Sequence, residues 1–414
     1  MSDRSVEVLI VGAGLAGASC AEALRELGFD GSVVLAGREP QVPYERPPCS
    51  KDLLRGESTP DDALLHPAEL YGEHDVELLT RTSVMKLDTD ARTATLSTKD
   101  GVGFGRALLA TGANVRRLRV DGGDLEGIHY LRALGNAASI RRDAEAAEHV
   151  VLIGGSYIGT EVAASLTLLG KRVTIVMLED VVHERSFGAT AGGFFQGVLE
   201  EHGVTVIGGD ELDRFEGPEG HVTHVHTKGG RSIECELVVI GAGAIPDVHL
   251  AQAAGLPIGE RGGVRSDRFL RIEGFDDLFC AGDMCEYDSV VHGQRMRIEH
   301  WDVAFNQGKS AALNILGREQ PHDVMPYFFS DLADWASLEY VGPALSWDRE
   351  VVRGSIEDGE FAIFYLDGDR VAGCLAVESS EALNEASRLL RDGIEISGHE
   401  GRLADRESDL AELR

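Results

Sequence analysis

The stretch "VEVLIVGAGLAGASCAEALRELGFDGSVVLAG", residues 6–37, reads as a buried strand, a glycine turn, an amphipathic helix and a second strand. Gly12, Gly14 and Gly17 form a G-x-G-x-x-G spacing between that strand and that helix. The first glycine permits the tight turn, the second lets a pyrophosphate approach the backbone, and the third lets helix pack on strand. The phosphate would rest on the helix N-terminus, where unpaired N–H groups and the helix dipole favour an anion. The spacing alone is a weak signal, and its place between a strand and a helix is what makes it useful. The bland alternative is a glycine-rich turn with no ligand.

The same plan returns in "HVVLIGGSYIGTEVAASLTLLGKRVTIVML", residues 149–178, where Gly154, Gly155 and Gly159 flank Tyr157 and Ile158 in a looser G-G-x-x-x-G turn. Two such turns imply two dinucleotides, and one chain with two points to hydride passing from a nicotinamide to a flavin. Two apolar segments that stop at small residues bracket the second unit: "RALLATGANV" (106–115) and "CELVVIGAGAIPD" (235–247), which holds Gly241. The expected fold is therefore α/β, with two Rossmann-like dinucleotide-binding domains, one inserted in the other, and a small α+β C-terminal domain. The first domain covers residues 1–112 and resumes over 238–319, the inserted one covers 113–237, and the third covers 320–414. Asp-Gly turns between short strands, then one helix, mark the third domain. The last 20 or so residues are polar and acidic and read as loosely held.

The formal charge of -31 over 414 residues excludes nucleic acid as a partner, since a polyanion is repelled and no basic run offsets the excess acid. Nothing approaches the roughly 18 apolar residues of a membrane span. The six cysteines are scattered without a metal-binding pattern, so reduced thiols and a cytoplasmic location are expected. Cys280 and Cys285, in "DLFCAGDMCEY", read as a buried cysteine and a loop cysteine rather than a redox pair.

Taken together, "VGAGLAG", "PYERPPCSKDLL", "LLATGA", "YLRAL", "GGSYIGTEVAA", "VVIGAGAIPD", "AGD", "EHWDVAFNQG" and "PYFFSDL" cover nearly the whole chain in order. In this the chain resembles the FAD-dependent pyridine-nucleotide reductases, specifically the ferredoxin- and rubredoxin-reductase branch. The resemblance implies FAD, NAD(P)H and an iron-sulfur electron carrier of ferredoxin or rubredoxin type that serves an oxygenase or hydroxylase, with a monomer or homodimer as the assembly. It places Ala16, Arg46, Lys51, Val84, Ala110, Thr111, Gly112, Arg132, Gly282, Asp283, Glu299, His300 and Trp301 against FAD, together with the first glycine turn. Lys51 and Glu161 take the place of the family's Lys-Glu pair beside the flavin ring, and Phe329 falls where the family often has Trp.

Departures from the family also carry expectations. The acid that usually binds the FAD ribose is replaced by Arg38, with Glu39 one place on as its substitute. In the second unit that slot is Met177, and Glu179 stands in for it with no arginine adjoining in sequence, which leans towards NADH. Cys49 lacks the second cysteine that disulfide reductases carry five positions away, and it reads as apolar filling. A single-cysteine NADH oxidase, peroxidase or coenzyme A disulfide reductase remains an alternative, as does a redox-sensing flavoprotein like apoptosis-inducing factor. An acidic carrier would need a local basic patch, for which Arg116, Arg117, Arg119, Arg295 and Arg297 are the candidates.

Overall fold

The computed structural model describes residues 4–413. They form two compact units, each assembled from separated stretches of chain. The first unit comprises the residues up to Glu45, Ala63–Asn114 and Ile245–Pro326, and the second comprises Arg46–Asp62, Val115–Ala244 and the chain from Tyr327 onward.

In the first unit the strand Arg4–Val11 lies between Val33–Ala36 and Gly101–Leu109, parallel to both, with Val76–Leu79 beyond Val33–Ala36. The end of Gly101–Leu109 also pairs with Leu278–Cys280, which brings two distant stretches of sequence side by side. Leu9, Ile10, Leu35, Leu108 and Leu109 are all fully buried, as parallel strands covered on both faces require. The helix Leu15–Glu26 packs on Trp301–Ile315 through small residues. A Cβ at Gly308 would collide with the Ala16 carbonyl oxygen, so the close approach depends on that glycine.

The second unit repeats the parallel plan, in the order Thr205–Ile207, Arg172–Val176, His149–Ile153, Leu237–Ile240 and Ile128–Tyr130. It also holds a five-stranded antiparallel sheet, ordered Tyr327–Leu332, Ala336–Val341, Arg370–Val377, Glu360–Asp367 and Arg349–Ser355. The helix Ser380–Asp392 packs against that sheet. The α/β class with two dinucleotide-type sheets and a C-terminal α+β part is thus present.

The chain's end differs from the expectation of a loose tail. Leu403, Leu410 and Leu413 are buried, and Arg353 donates to the carbonyls of Arg402, Leu403, Asp405, Arg406 and Ser408. Arg388 binds the carbonyls of Leu410 and Leu413 in the same way. Three leucines and two guanidinium groups, spread among many acidic residues, give little hydropathy signal yet anchor the segment.

Two histidines buried in separate units link stability to pH. His183 is boxed by Tyr157, Phe187 and Phe195, and its Nε2 lies 3.1 Å from Thr160 Oγ1. The Nδ1 of His322 lies 2.8 Å from Ser310 Oγ. Burial lowers each imidazole from 6.5 to about 4. The unfolded chain therefore binds more protons between those values, and stability is lost as pH falls through that window. At pH 5 each histidine costs about 2 kcal/mol relative to neutral pH. Melting temperature is expected to drop steadily from pH 7 to pH 4.5, and His322→Gln to flatten the slope. Parallel curves for the two proteins would rule out His322 as a contributor.

Candidate active site

In the first unit Gly12 has φ of +115°, a conformation that glycine adopts without strain. A Cβ there would collide with the carbonyl of Ala110, and one at Gly17 with the carbonyl of Gly12. The strand end, the helix start and Ala110 are therefore drawn together by backbone contacts that exclude side chains. Gly14 is different, because its Cβ would meet nothing within 4 Å. The helix that follows has no capping side chain and no acidic residue in its first turn. Uncapped N–H groups beside an open glycine suit a diphosphate.

Other expected residues lie in the same unit. Thr111 donates from Oγ1 to the Asp247 carbonyl at 2.6 Å, and Gly112 accepts from the Asp247 N–H at 2.8 Å. Gly282 donates its N–H to the buried Gln307 at 2.8 Å, and a Cβ on Gly282 would come within 3.2 Å of the Ala16 side chain. The Asp283 carbonyl accepts from Arg297, which also pairs with Glu299. His300 caps the helix Trp301–Ile315, and Trp301 stacks on Phe305 with ring centroids 5.4 Å apart. Glu39 accepts a 2.5 Å bond from the Tyr44 hydroxyl. Arg38, in the usual acid slot, turns to Asp247 and Asn114. Val84 heads the edge strand Val84–Asp88.

The second unit carries the other glycine turn. Gly154 has φ of +107°, and a Cβ there would collide with the carbonyl of Gly241. Gly159 abuts the Gly154 carbonyl in the same way, whereas Gly155 faces side chains, chiefly the flexible Met177 and then Val182. The helix Tyr157–Leu168 again starts without a capping side chain or an acid in its first turn, and Ile158 projects outward. Burial pushes the Tyr157 phenol far above its ordinary value. Glu179 lies after the adjacent strand and is paired with Arg185. The expectation that no arginine adjoins Glu179 is thus corrected, since the turn into Glu184–Glu201 brings one back from six positions on.

Also within the second unit, Lys51 enters a partly buried ionic cluster. It pairs closely with Asp331, lies 3.8 Å from Glu161 and sits 5.1 Å from the centre of the Phe329 ring. Glu161 Oε2 accepts from Ser50 Oγ at 2.5 Å, and its Oε1 accepts from Ser330 Oγ at 2.6 Å. Burial raises the Glu161 carboxyl above its ordinary value, Lys51 and the two serines pull it back, and Asp331 pushes it up again. Within the same unit the Arg46 guanidinium donates to the Arg132 carbonyl.

Sequence reasoning singled out Lys51 and Glu161 but not Ser50, Ser330, Asp331, Gln307 or Tyr44. All five stand inside motifs quoted above, and for Ser50, Ser330, Asp331 and Gln307 only the pairing of distant segments reveals what they hold. Cys49 is buried in the short turn Pro47–Ser50, and none of the six cysteines is in a disulfide. Burial pushes the Cys280 thiol up, and the adjacent Cys285 thiol adds to the effect. Two members of the basic patch are already neutralised. Arg295 pairs with Glu273 and Asp288, and Arg297 with Glu299. Among the described residues, no helix is long and apolar enough to cross a membrane.

Two glycine turns, each feeding an uncapped helix N-terminus, define a two-dinucleotide flavoprotein. The family model for pyridine nucleotide-disulphide oxidoreductases matches residues 6–308, and that for the reductase C-terminal domain matches 327–414. The chain belongs to the pyridine nucleotide-disulphide oxidoreductase family and is an oxidoreductase that uses FAD and NAD(P)H. It is 31% identical to rhodocoxin reductase of Rhodococcus erythropolis, over 98% of this chain and 93% of that protein. The ferredoxin reductase for the CYP199A2 system of Rhodopseudomonas palustris superposes with a TM-score of 0.93 at 30% identity, covering 99% of both chains. The covalent putidaredoxin reductase–putidaredoxin complex gives 0.91 at 31% identity, covering 100% of this chain and 98% of the other.

Proposed function

We propose that the chain passes electrons from NAD(P)H through FAD to a ferredoxin- or rubredoxin-type one-electron carrier, and that the carrier serves an oxygenase or hydroxylase. FAD, when bound, supplies the conversion of one hydride into two single-electron deliveries. The observation that carries this reading is the partly buried Lys51–Glu161–Asp331 cluster, in a chain with two uncapped glycine-turn helices. The relatives named for ferredoxin, rhodocoxin and putidaredoxin support the choice of acceptor.

In this reading Gly12, Gly14, Ala16, Gly17, Glu39, Ala110, Thr111, Gly112, Gly282, Asp283, Glu299, His300 and Trp301 hold FAD, with Arg46, Lys51, Val84 and Arg132. Gly154, Gly155, Tyr157, Ile158, Gly159, Glu161, Glu179 and Gly241 hold the nicotinamide dinucleotide. The Lys51 ammonium provides fixed positive charge where hydride arrives, which favours negative charge there without reorganisation. No covalent nucleophile is required, and buried Cys49 is packing. Glu179 favours ribose hydroxyls over a 2'-phosphate, so NADH is the preferred donor, although Arg185 moderates the repulsion. Reduced thiols at all six cysteines agree with a cytoplasmic setting.

Anaerobic titration of the flavin-loaded protein with NADH, counting electrons per FAD, separates this reading from its alternative. Uptake of two electrons is expected, and an added ferredoxin-type carrier should then reoxidise the protein. Uptake of four would assign a second redox centre to Cys49 and replace the carrier reading with a single-cysteine oxidase.

A further inference from the structure

We propose that Asp331 is the counter-ion that holds the Lys51 ammonium and leaves Glu161 as the protonatable member of the cluster, so that the strand Tyr327–Leu332 sets the charge presented there. This rests on the reading above and names a positioning residue for it. Lys51 has two carboxylates within reach but bonds directly to only one, Asp331, with Glu161 at 3.8 Å. The other oxygen of Asp331 accepts from Ser337 Oγ at 2.6 Å, and Ser337 is its direct partner across the hairpin. Asp331 is thus fixed from both sides.

Two carboxylates and one ammonium leave a net negative charge if all three are ionised. The excess is costly at the buried end and tolerable at the exposed end. The side chains are 8% exposed for Glu161, 15% for Lys51 and 35% for Asp331. Burial therefore favours a proton on Glu161, the most enclosed of the three.

The local hydrogen bonds accommodate that proton. Ser50 Oγ donates to Glu161, but it also lies 3.2 Å from the Pro47 carbonyl. When Glu161 is neutral, the Ser50 hydroxyl turns to Pro47 and accepts from the carboxylic acid, so that no group is stranded. Ser330 continues to donate to Oε1. The other polar or charged neighbours do not compete for the ammonium. Tyr157, one turn earlier on the helix of Glu161, is held protonated by burial. Arg55 is engaged with Glu57 and lies 3.3 Å from Ser165 Oγ. Glu339, across from Phe329, accepts from the hydroxyls of Tyr327 and Ser380. The Phe329 ring contributes a cation–π contact to Lys51.

The test is an infrared pH titration of the flavin-loaded holoenzyme, following the carbonyl stretch of the protonated carboxylic acid and assigning it to Glu161 by its loss in Glu161→Gln. Asp331→Asn removes a like charge and frees Lys51 to close on Glu161, so the midpoint is expected to move down by about one pH unit or more. Asp331→Glu keeps the charge and is expected to hold the original midpoint. Asp331→Ser provides a second neutral variant if the Asn protein does not fold. A midpoint unchanged in the neutral variants, or raised, would overturn the proposal, even if their melting temperature or FAD content fell. Failure of the carrier reading shows separately, as a reduced wild-type flavin that an added ferredoxin-type carrier does not reoxidise.

Discussion

Gly12→Ala is expected to yield protein with less than about one-tenth of the normal FAD content, and much of it insoluble. Two effects combine at this position. A φ of +115° is strained for any side chain, at about 1–3 kcal/mol. The new methyl also strikes the Ala110 carbonyl, a backbone atom at the end of a central strand that cannot rotate away. Relief requires the strand Gly101–Leu109 to shift against Arg4–Val11, which disrupts the parallel register between them. Since about 1.4 kcal/mol already means a tenfold change in binding, the combined strain is ample.

Gly14→Ala gives the matched control, because its methyl would meet no protein atom within 4 Å. That chain should fold with a melting temperature near wild type for the apoprotein, yet bind FAD more weakly, since the methyl enters the space a diphosphate would fill. Absorbance at the flavin band after desalting, with circular dichroism on the same samples, measures both. If Gly14→Ala kept full affinity, the first glycine turn would not be the diphosphate cradle.

The contrast between these two glycines shows what the sequence could and could not disclose. Strand, turn and helix follow one another within about 30 residues, so hydrophobic period and glycine spacing made both βαβ units legible. Lys51 and Glu161 were legible as well, since each sits in a motif with a recognisable neighbourhood. Asp331 was not, although it stands in the quoted "PYFFSDL" together with Phe329. Its role comes from a hairpin that sets it opposite Ser337 and from a fold that returns it to a lysine 280 positions earlier. Arg185 escaped for a related reason, because a turn and not adjacency carries it to Glu179. The packed tail escaped because three leucines among acids leave no periodic pattern. Local order is written in local sequence, whereas ionic partners are chosen by topology.

Lys51→Met is expected to slow reduction of the bound flavin by NADH by about 10²- to 10³-fold while FAD content stays near normal. Methionine matches the length of the lysine stem and removes only the charge and its donors. Removing one partner of a buried ion pair generally costs about 3–5 kcal/mol, because the other charge is left uncompensated. That cost is limited here by the two carboxylates themselves. Glu161 is already raised by burial and takes a proton, with Ser50 and Ser330 satisfying the neutral acid. Asp331, 35% exposed and held by Ser337, remains solvated. The fold therefore survives the change, and what is lost is the positive charge poised to stabilise the developing anion. Stopped-flow absorbance under anaerobic conditions reads the rate directly, with saturation in NADH separating a slower chemical step from weaker binding. A fall in the limiting rate at unchanged half-saturation is the expected pattern. A limiting rate equal to wild type would make the cluster a structural ion pair and move the chemistry elsewhere. Lys51→Arg should recover only part of the rate, because a planar guanidinium cannot occupy the compact position between Asp331, Glu161 and the Phe329 ring that the ammonium holds.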